Sequence, residues 1–207
     1  MPHTITQDCA GWGTGLSPYC LSVRRLPLGS RAGRLRAVAG FRPKEPGAPH
    51  TNDLEALSDT LISLDRMVAD SSSLILAEKA GFLPLLCREV RLVVVPGVLA
   101  ETGFASNVFR TLEGYDETPT DAAVVRAARE TSLPLLSDDR SMLEQAHIAG
   151  MRYYNAIMAL TLLLARGALT PDAFERFRGE LYRHCRYSTQ VRRFAESLYW
   201  SVRKRLP

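Results

Sequence analysis

From residue 67 onward, short apolar runs alternate with segments whose apolar residues recur every three or four positions. The short runs are typical of buried strands, and the longer period is typical of helices that bury one face. This pattern predicts strands over 67–70, 92–95, 133–136 and 152–154, and helices over 72–81, 82–90, 98–102, 106–112, 121–130, 141–149, 155–166, 171–183 and 188–205. The alternation indicates an α/β fold, a three-layer sandwich with a mainly parallel sheet flanked by helices and with extra C-terminal helices.

The first 66 residues do not share this pattern. Residues 1–50 hold seven of the 14 glycines and six of the 12 prolines, so we expect a disordered or loosely packed leader. An over-long gene start is the alternative, because Met67 lies three residues before Asp70, where a compact domain could start with its first strand. Residues 51–66 predict a short amphipathic helix or a linker, and residues 67–207 predict the main domain, including the C-terminal helices.

Charge is distributed unevenly along the chain. The net charge is +4 overall, but it is +5 over residues 1–50, −8 over 51–150 and +7 over 151–207. An acidic middle and a basic end fit a cation site beside a surface for polyanions. Basic helices that only present a solvated face would give the same distribution.

The cysteines do not indicate a metal site or a disulfide framework. Cys9, Cys20, Cys87 and Cys185 show no CxxC spacing, and the four histidines do not cluster with them. The N-terminus lacks the basic start and apolar core of a secretory signal. We therefore expect reduced cysteines and a cytoplasmic protein with no membrane span.

Acidic residues recur where predicted strands end. Asp70 follows the first strand, Glu101 lies on the first turn of the helix after the second, and Asp138 and Asp139 follow the third. Asp121 opens the helix before that third strand. Because parallel strands collect active groups at their carboxyl ends, these carboxylates could converge and would then need a cation such as Mg²⁺ or Mn²⁺. Taken singly, each aspartate could be a helix cap, and Glu101 could be an exposed charge at a helix start.

The acids lie within four stretches of sequence: VADSSSLILAEKAGFLPLL, VVVPGVLAETG, TDAAVVRAARE and LPLLSDDRSMLEQAHIAGMRYYN. In this order they resemble the PIN-domain nucleases, the family of VapC-type toxins and related prokaryotic PIN proteins. With the apolar AIMALTLLLARGALT that follows, the resemblance covers residues 67–170, about half of the chain.

The resemblance implies a Mg²⁺- or Mn²⁺-dependent endoribonuclease of PIN-like fold. The implied catalytic residues are Asp70, Glu101, Asp121 and Asp139, and the implied metal ligands are Asp70, Asp121, Asp139 and the neighbouring Asp138. Supporting hydroxyls would come from Ser71, Ser72 and Ser137. The number of metal ions and the choice between Asp138 and Asp139 stay open, although the family's Ser/Thr-x-Asp pattern favours Asp139.

Partners follow from the same resemblance. We expect an RNA substrate, contacted by Arg140, Arg126 and Arg129, an antitoxin protein and a homodimer. Two other interpretations stay open: a catalytically weak or inactive PIN domain that acts as a binding module, and a phosphatase or other α/β metal hydrolase.

Overall fold

The computed structural model describes residues 51–116 and 118–206 of the 207-residue chain. The expectation for residues 1–50 therefore lies outside the described residues. In chain order the elements are α1 (Thr51–Ile62), β1 (Arg66–Ala69), α2 (Ser71–Lys79), α3 (Leu83–Glu89), β2 (Arg91–Val94), α4 (Pro96–Thr102), β3 (Arg110–Thr111), α5 (Thr120–Thr131), β4 (Leu135–Leu136), α6 (Arg140–Ile148), β5 (Tyr153–Tyr154), α7 (Ala156–Ala165), α8 (Pro171–His184) and α9 (Thr189–Arg203).

The five strands form one sheet in the order β3-β2-β1-β4-β5, and every neighbouring pair is parallel. The predicted α/β class, with a parallel sheet flanked by helices, is confirmed. β1 lies at the centre, in register with β2 (Val68 beside Val93) and with β4 (Val68 beside Leu135). Because all five strands run the same way, their carboxyl ends share one edge, which we call the carboxyl edge.

The helix predicted over 106–112 is wrong. Residues 106–109 form turns, and Arg110–Thr111 form β3, which pairs with Val93 and Val94 of β2. The buried side chains of Val108 and Phe109 anchor this segment against the core. A two-residue strand is too short to show a period of two, so the sequence carries no strand signal here.

The helix after β2 begins two residues before its predicted start. Pro96 occupies the first position of α4, where its missing N–H costs no hydrogen bond and its fixed φ suits a helix. Glu101 consequently lies in the last turn of α4 and not in the first turn, as the sequence predicted. Gly103 ends α4 in the left-handed conformation, with φ 68°.

The core is continuous from the sheet into the C-terminal helices. α7 is buried on all sides, from Ala156 to Leu164, because α2, α3, α8, α9 and α1 all pack against it. Leu57 and Leu61 of α1 belong to the same core, and Leu61 is fully buried. Full burial of one leucine side chain contributes about 1.5–3 kcal/mol, so α1 is tied firmly to the domain.

No helix of the described residues is long and apolar enough to cross a membrane. The division of the whole chain into a leader, a linker and a domain stays a prediction.

Candidate active site at the carboxyl edge of the sheet

Asp70 is a buried carboxylate at the end of the central strand. It caps α2, and its side chain is only 3% exposed. Its Oδ1 accepts from the Ser73 N–H at 2.9 Å, and its Oδ2 accepts from the hydroxyls of Ser72 at 2.7 Å and Ser137 at 2.8 Å. Burial raises the pKa of Asp70, and the hydrogen bonds from Ser73, Ser72 and Ser137 partly oppose that shift. These contacts fix the carboxylate in one orientation.

The serine triplet Ser71–Ser73 distributes its hydroxyls over three different carboxylates. Ser71 donates to Glu101 Oε2 at 2.5 Å, Ser72 donates to Asp70, and Ser73 donates to Asp138 Oδ2 at 2.8 Å. Ser71, Ser72 and Ser137 were predicted supporting residues, whereas Ser73 was missed. The signal for Ser73 was the run of three serines beside Asp70, which one helical turn must fan out in different directions.

Asp138 is held on both of its oxygens. Oδ2 accepts from the Ser73 hydroxyl and from the Ala156 N–H at 2.9 Å, and Oδ1 accepts from the Tyr187 hydroxyl at 2.6 Å. Burial is the largest effect on this carboxyl and raises its pKa to about 6, although the three hydrogen bonds lower it. The side chain therefore ties α2, α7 and the connection after α8 together.

Asp139 differs from its neighbour because it is exposed. It caps α6 by accepting from the Met142 N–H at 2.9 Å through Oδ1, and its own N–H donates to the Ser137 hydroxyl at 3.1 Å. Its Oδ2 accepts no hydrogen bond from the described residues. Of the two aspartates, Asp139 is thus the more exposed one and the one with an oxygen that accepts no hydrogen bond from the described residues.

Asp121 lies close enough to Glu101 and to Asp139 for the three negative charges to interact through it. Asp121 is exposed in the first turn of α5, and its pKa is raised by partial burial and then by the negative charges of Asp139 and Glu101. Within residues 51–116 and 118–206, no arginine or lysine forms an ion pair with any of the five acids at this edge. The edge therefore concentrates negative charge that no arginine or lysine of the described residues pairs with.

The donor chemistry of this edge fits a hard divalent cation, because exposed carboxylate oxygens are the ligands that Mg²⁺ and Mn²⁺ prefer. The positions are not preassembled, however. The described part of the chain contains no group of three or more histidine, cysteine, aspartate or glutamate side chains disposed to hold a metal ion. Cation binding would require the exposed side chains of Glu101, Asp121 and Asp139 to turn toward Asp70.

The three predicted RNA-contacting arginines lie in different settings. Arg140 opens α6 beside Asp139 with 90% of its side chain exposed, and it pairs with Glu144. Arg126 lies 4.5 Å above the Tyr115 ring and donates to the Gly114 carbonyl at 3.0 Å. It therefore holds the loop before α5.

Arg129 is exposed in the last turn of α5. It lies roughly 12 Å along the helix axis from Asp121, since an α-helix rises 1.5 Å per residue. Among the three, Arg140 is the one at the carboxyl edge.

The contact of Tyr187 with this site is not revealed by its sequence context. Tyr187 stands 49 residues after Asp138, in a connection with no periodic pattern, yet its hydroxyl completes the set of donors around that carboxylate. Its own pKa is raised by burial and by the nearby charge of Asp138, so it stays protonated and donates.

Comparison of the chain with protein-family models, with curated proteins and with solved structures finds no match.

Proposed function

We propose that this chain is a Mg²⁺- or Mn²⁺-dependent endoribonuclease of the PIN-domain type, acting in the cytoplasm as a toxin that an antitoxin protein controls. The observation that carries the proposal is the carboxyl edge itself. Exposed Asp121 is repelled by Asp139 and Glu101 at the edge where the buried, oriented Asp70 also lies, and no basic side chain of the described residues forms an ion pair with them. Such an arrangement is costly unless a cation binds there.

The cation would be held by Asp70, Asp121 and Asp139. When bound, Mg²⁺ or Mn²⁺ supplies a water of lowered pKa and positive charge beside the scissile phosphate. Asp70 keeps its orientation through Ser72, Ser73 N–H and Ser137, so it needs little reorganisation. In phosphoryl transfer, most of the rate enhancement comes from the positioning of reacting groups and from electrostatic stabilisation, and a preorganised carboxylate serves both.

Glu101 has a different role in this proposal. Its Oε2 is hydrogen-bonded to Ser71, which leaves Oε1 available at the edge. A carboxylate so placed can orient the attacking water and accept its proton. Arg140, exposed next to Asp139, can contact a phosphate oxygen of the substrate and offset the charge that develops there.

The experiment is cleavage of a panel of fluorescent single-stranded RNAs by wild type, Asp70→Asn and Asp139→Asn, with Mn²⁺ or with EDTA. We expect cutting by wild type with metal, and a loss of at least about 100-fold in each variant, the usual scale for removing one group that stabilises a transition state. Asp172→Asn is the matched control, because it removes an exposed acid from the first turn of α8. Equal activity in EDTA, or full activity of Asp70→Asn, would refute the nuclease.

A binding module without catalysis is the second candidate, and one observation favours it: the described carboxylates form no ready cluster for a metal ion. This candidate predicts RNA or protein binding that is unchanged in Asp70→Asn, and no cleavage with any metal. A phosphatase is distinguished by hydrolysis of small phosphoesters and indifference to RNA.

Self-association is proposed on the C-terminal helices, since the PIN family commonly forms dimers. Trp200 of α9 is 54% exposed, unusually open for a tryptophan. Light scattering of the purified chain at micromolar concentration is expected to give the mass of a dimer. A monomer mass that persists at tens of micromolar contradicts the dimer and leaves the nuclease proposal unaffected.

A further inference from the structure

The connection between α8 and α9 is the most basic short segment of the described chain near the site. Residues 183–193 (RHCRYSTQVRR), here called the basic segment, contain four arginines and one histidine, and they contain neither aspartate nor glutamate. The segment covers the end of α8, residues 185–188 and the first turns of α9. The proposed catalytic groups do not include any of it.

One side chain fixes the place of the basic segment in the fold. Tyr187 donates to Asp138 Oδ1 at 2.6 Å, and Asp138 directly follows the sheet strand β4 and Ser137. The same carboxylate accepts from Ser73 and from Ala156 N–H, at the beginnings of two helices that start at the carboxyl edge. The basic segment is therefore anchored at that edge, beside the acids.

The course of α8 agrees with this placement. The ring of Phe177, in the middle of α8, lies 6.3 Å from the ring of Phe82, which follows the far end of α2. Tyr187, past the end of α8, reaches a carboxylate that also contacts Ser73 in the first turn of α2. α8 thus runs antiparallel to α2 and delivers its basic end to the carboxyl edge.

Two arginines of the basic segment are available to a ligand. Arg186 and Arg193 are exposed, and their guanidinium groups make no hydrogen bond, ion pair or ring contact within residues 51–116 and 118–206. The other two are engaged: Arg183 pairs with Glu180, and Arg192 lies 4.6 Å above the Tyr182 ring. The N-terminus of α9 carries no acid in its first turn, so its dipole adds to the positive potential.

We propose that the basic segment binds the phosphodiester backbone of a single-stranded RNA and presents that strand to the acidic edge, with the Tyr187–Asp138 hydrogen bond as the positioning contact. The identity of the ligand as RNA rests on the proposed function. The physical need is plain, because the edge of exposed carboxylates repels a polyanion and cannot hold one unaided. Phosphate contacts supply most sequence-independent affinity for nucleic acids, and they depend strongly on salt.

The first test measures binding alone, by fluorescence anisotropy of a labelled single-stranded RNA with the full chain in EDTA, where no metal-dependent cleavage takes place. Arg186→Gln/Arg193→Gln is compared with Lys79→Gln/Arg88→Gln. The control removes the same charge from the C-terminal turns of α2 and α3, at the opposite edge of the sheet. We expect the first pair to weaken binding on the order of tenfold at ~0.1 M salt and the control to change it less than about twofold.

Salt dependence supplies a second readout. The slope of log K against log salt for single strands is about −0.7 per phosphate contact, so the loss of two contacts should make it less steep by about 1.4. Equal weakening by both pairs, an unchanged slope, or no RNA binding by wild type overturns the proposal. A polyglutamate peptide of equal charge that binds as tightly, with the same dependence on Arg186 and Arg193, also overturns it in favour of an acidic protein partner.

The hydrogen bond between Tyr187 and Asp138 is tested with a separate variant. Tyr187→Phe keeps the ring and all arginines but removes the hydroxyl that reaches Asp138, so we expect binding to weaken several-fold in a folded protein. Tyr153→Phe is the control, because its hydroxyl faces His147 at 3.4 Å and not the basic segment. Binding by Tyr187→Phe at the wild-type level overturns the positioning role of this contact. Neither binding test needs cleavage. The proposal for the basic segment can therefore be refuted while the nuclease proposal stands, and the nuclease proposal can be refuted while RNA binding by the basic segment stands.

Discussion

A β-carbon at Gly97 of α4 would lie 2.7 Å from Oγ1 and 2.8 Å from Cγ2 of Thr120, the first residue of α5. The first turn of α4 thus contacts the first residue of α5 through the backbone of Gly97, at a position that leaves no room for a β-carbon. This contact sets the distance between the helices that carry Glu101 and Asp121. Close approach to Thr120 explains the glycine at position 97, because the φ of Gly97 lies outside the left-handed region and does not itself require glycine.

Gly97→Ala is therefore expected to destabilise the fold by about 1–3 kcal/mol, the usual range for overpacking, and to displace α4 from α5. The measurement is the free energy of unfolding in urea. Gly179→Ala in α8 is the control, since nothing lies within 4 Å of its added β-carbon, and alanine should stabilise that helix by about 0.5–1 kcal/mol. Adding Thr120→Ala to Gly97→Ala should restore much of the loss, and a strictly additive double variant would contradict the close contact.

Asp138→Asn should flatten the pH dependence of stability. The folded pKa of Asp138, about 6, exceeds its ordinary value of 3.8, so the folded state binds a proton more readily than the unfolded chain. Its contribution is fully present below about pH 4 and is lost as pH rises through about 6. Between pH 7 and pH 4, the free energy of unfolding of wild type should therefore rise by on the order of 2–3 kcal/mol relative to that of Asp138→Asn, at about 1.4 kcal/mol per unit of pKa.

The measurement for Asp138 is urea unfolding of both proteins in EDTA at several pH values. Parallel stability curves for the two proteins across this range would show that burial does not raise the carboxyl pKa.

Asp121→Asn should stabilise the metal-free protein slightly, by less than about 1 kcal/mol, because solvent and salt screen exposed charges. The reason is that it removes the negative charge of Asp121, which partial burial and the nearby charges of Asp139 and Glu101 disfavour. Millimolar Mg²⁺ or Mn²⁺ should raise the melting temperature of wild type more than that of the variant. Asp172→Asn should respond to metal as wild type does, and an identical metal response of Asp121→Asn would remove this residue from the ligand set.

Ser137→Ala should destabilise the domain by roughly 1.5–3 kcal/mol, the scale for hydrogen bonds to charged groups. The lost hydroxyl donates to the buried Asp70 Oδ2 at 2.8 Å and accepts from the Asp139 N–H at 3.1 Å. Ser141→Ala on the exposed face of α6 is the comparison in urea unfolding, with an expected change below about 0.5 kcal/mol. A Ser137→Ala protein as stable as that comparison would mean that Asp70 does not depend on this donor.

The sequence predicted four of the five strands, including the two-residue β4 and β5, and the class of fold followed from their alternation with helices. It failed at β3, where two residues pair with β2 only because Val108 and Phe109 anchor the loop in the core. Such a strand forms because of tertiary packing, and no local pattern in the sequence predicts it.

The candidate site was predictable only in part, and the reason is distance along the chain. Asp70, Asp121 and Asp139 follow from strand ends and helix starts, which are local features. The contact of Tyr187 with Asp138 spans 49 residues, and no spacing or periodicity encodes it. The different exposure of Asp138 and Asp139 likewise depends on where α2, α7 and Tyr187 happen to meet.

The serine triplet has a consequence for how this chain can vary. Successive residues of an α-helix point about 100° apart, so Ser71, Ser72 and Ser73 serve three carboxylates only in one rotational setting of α2. Replacing one serine breaks one connection, but inserting or deleting a residue at this point turns every hydroxyl toward the wrong acid at once. The first turn of α2 should therefore tolerate changes of residue far better than changes of length.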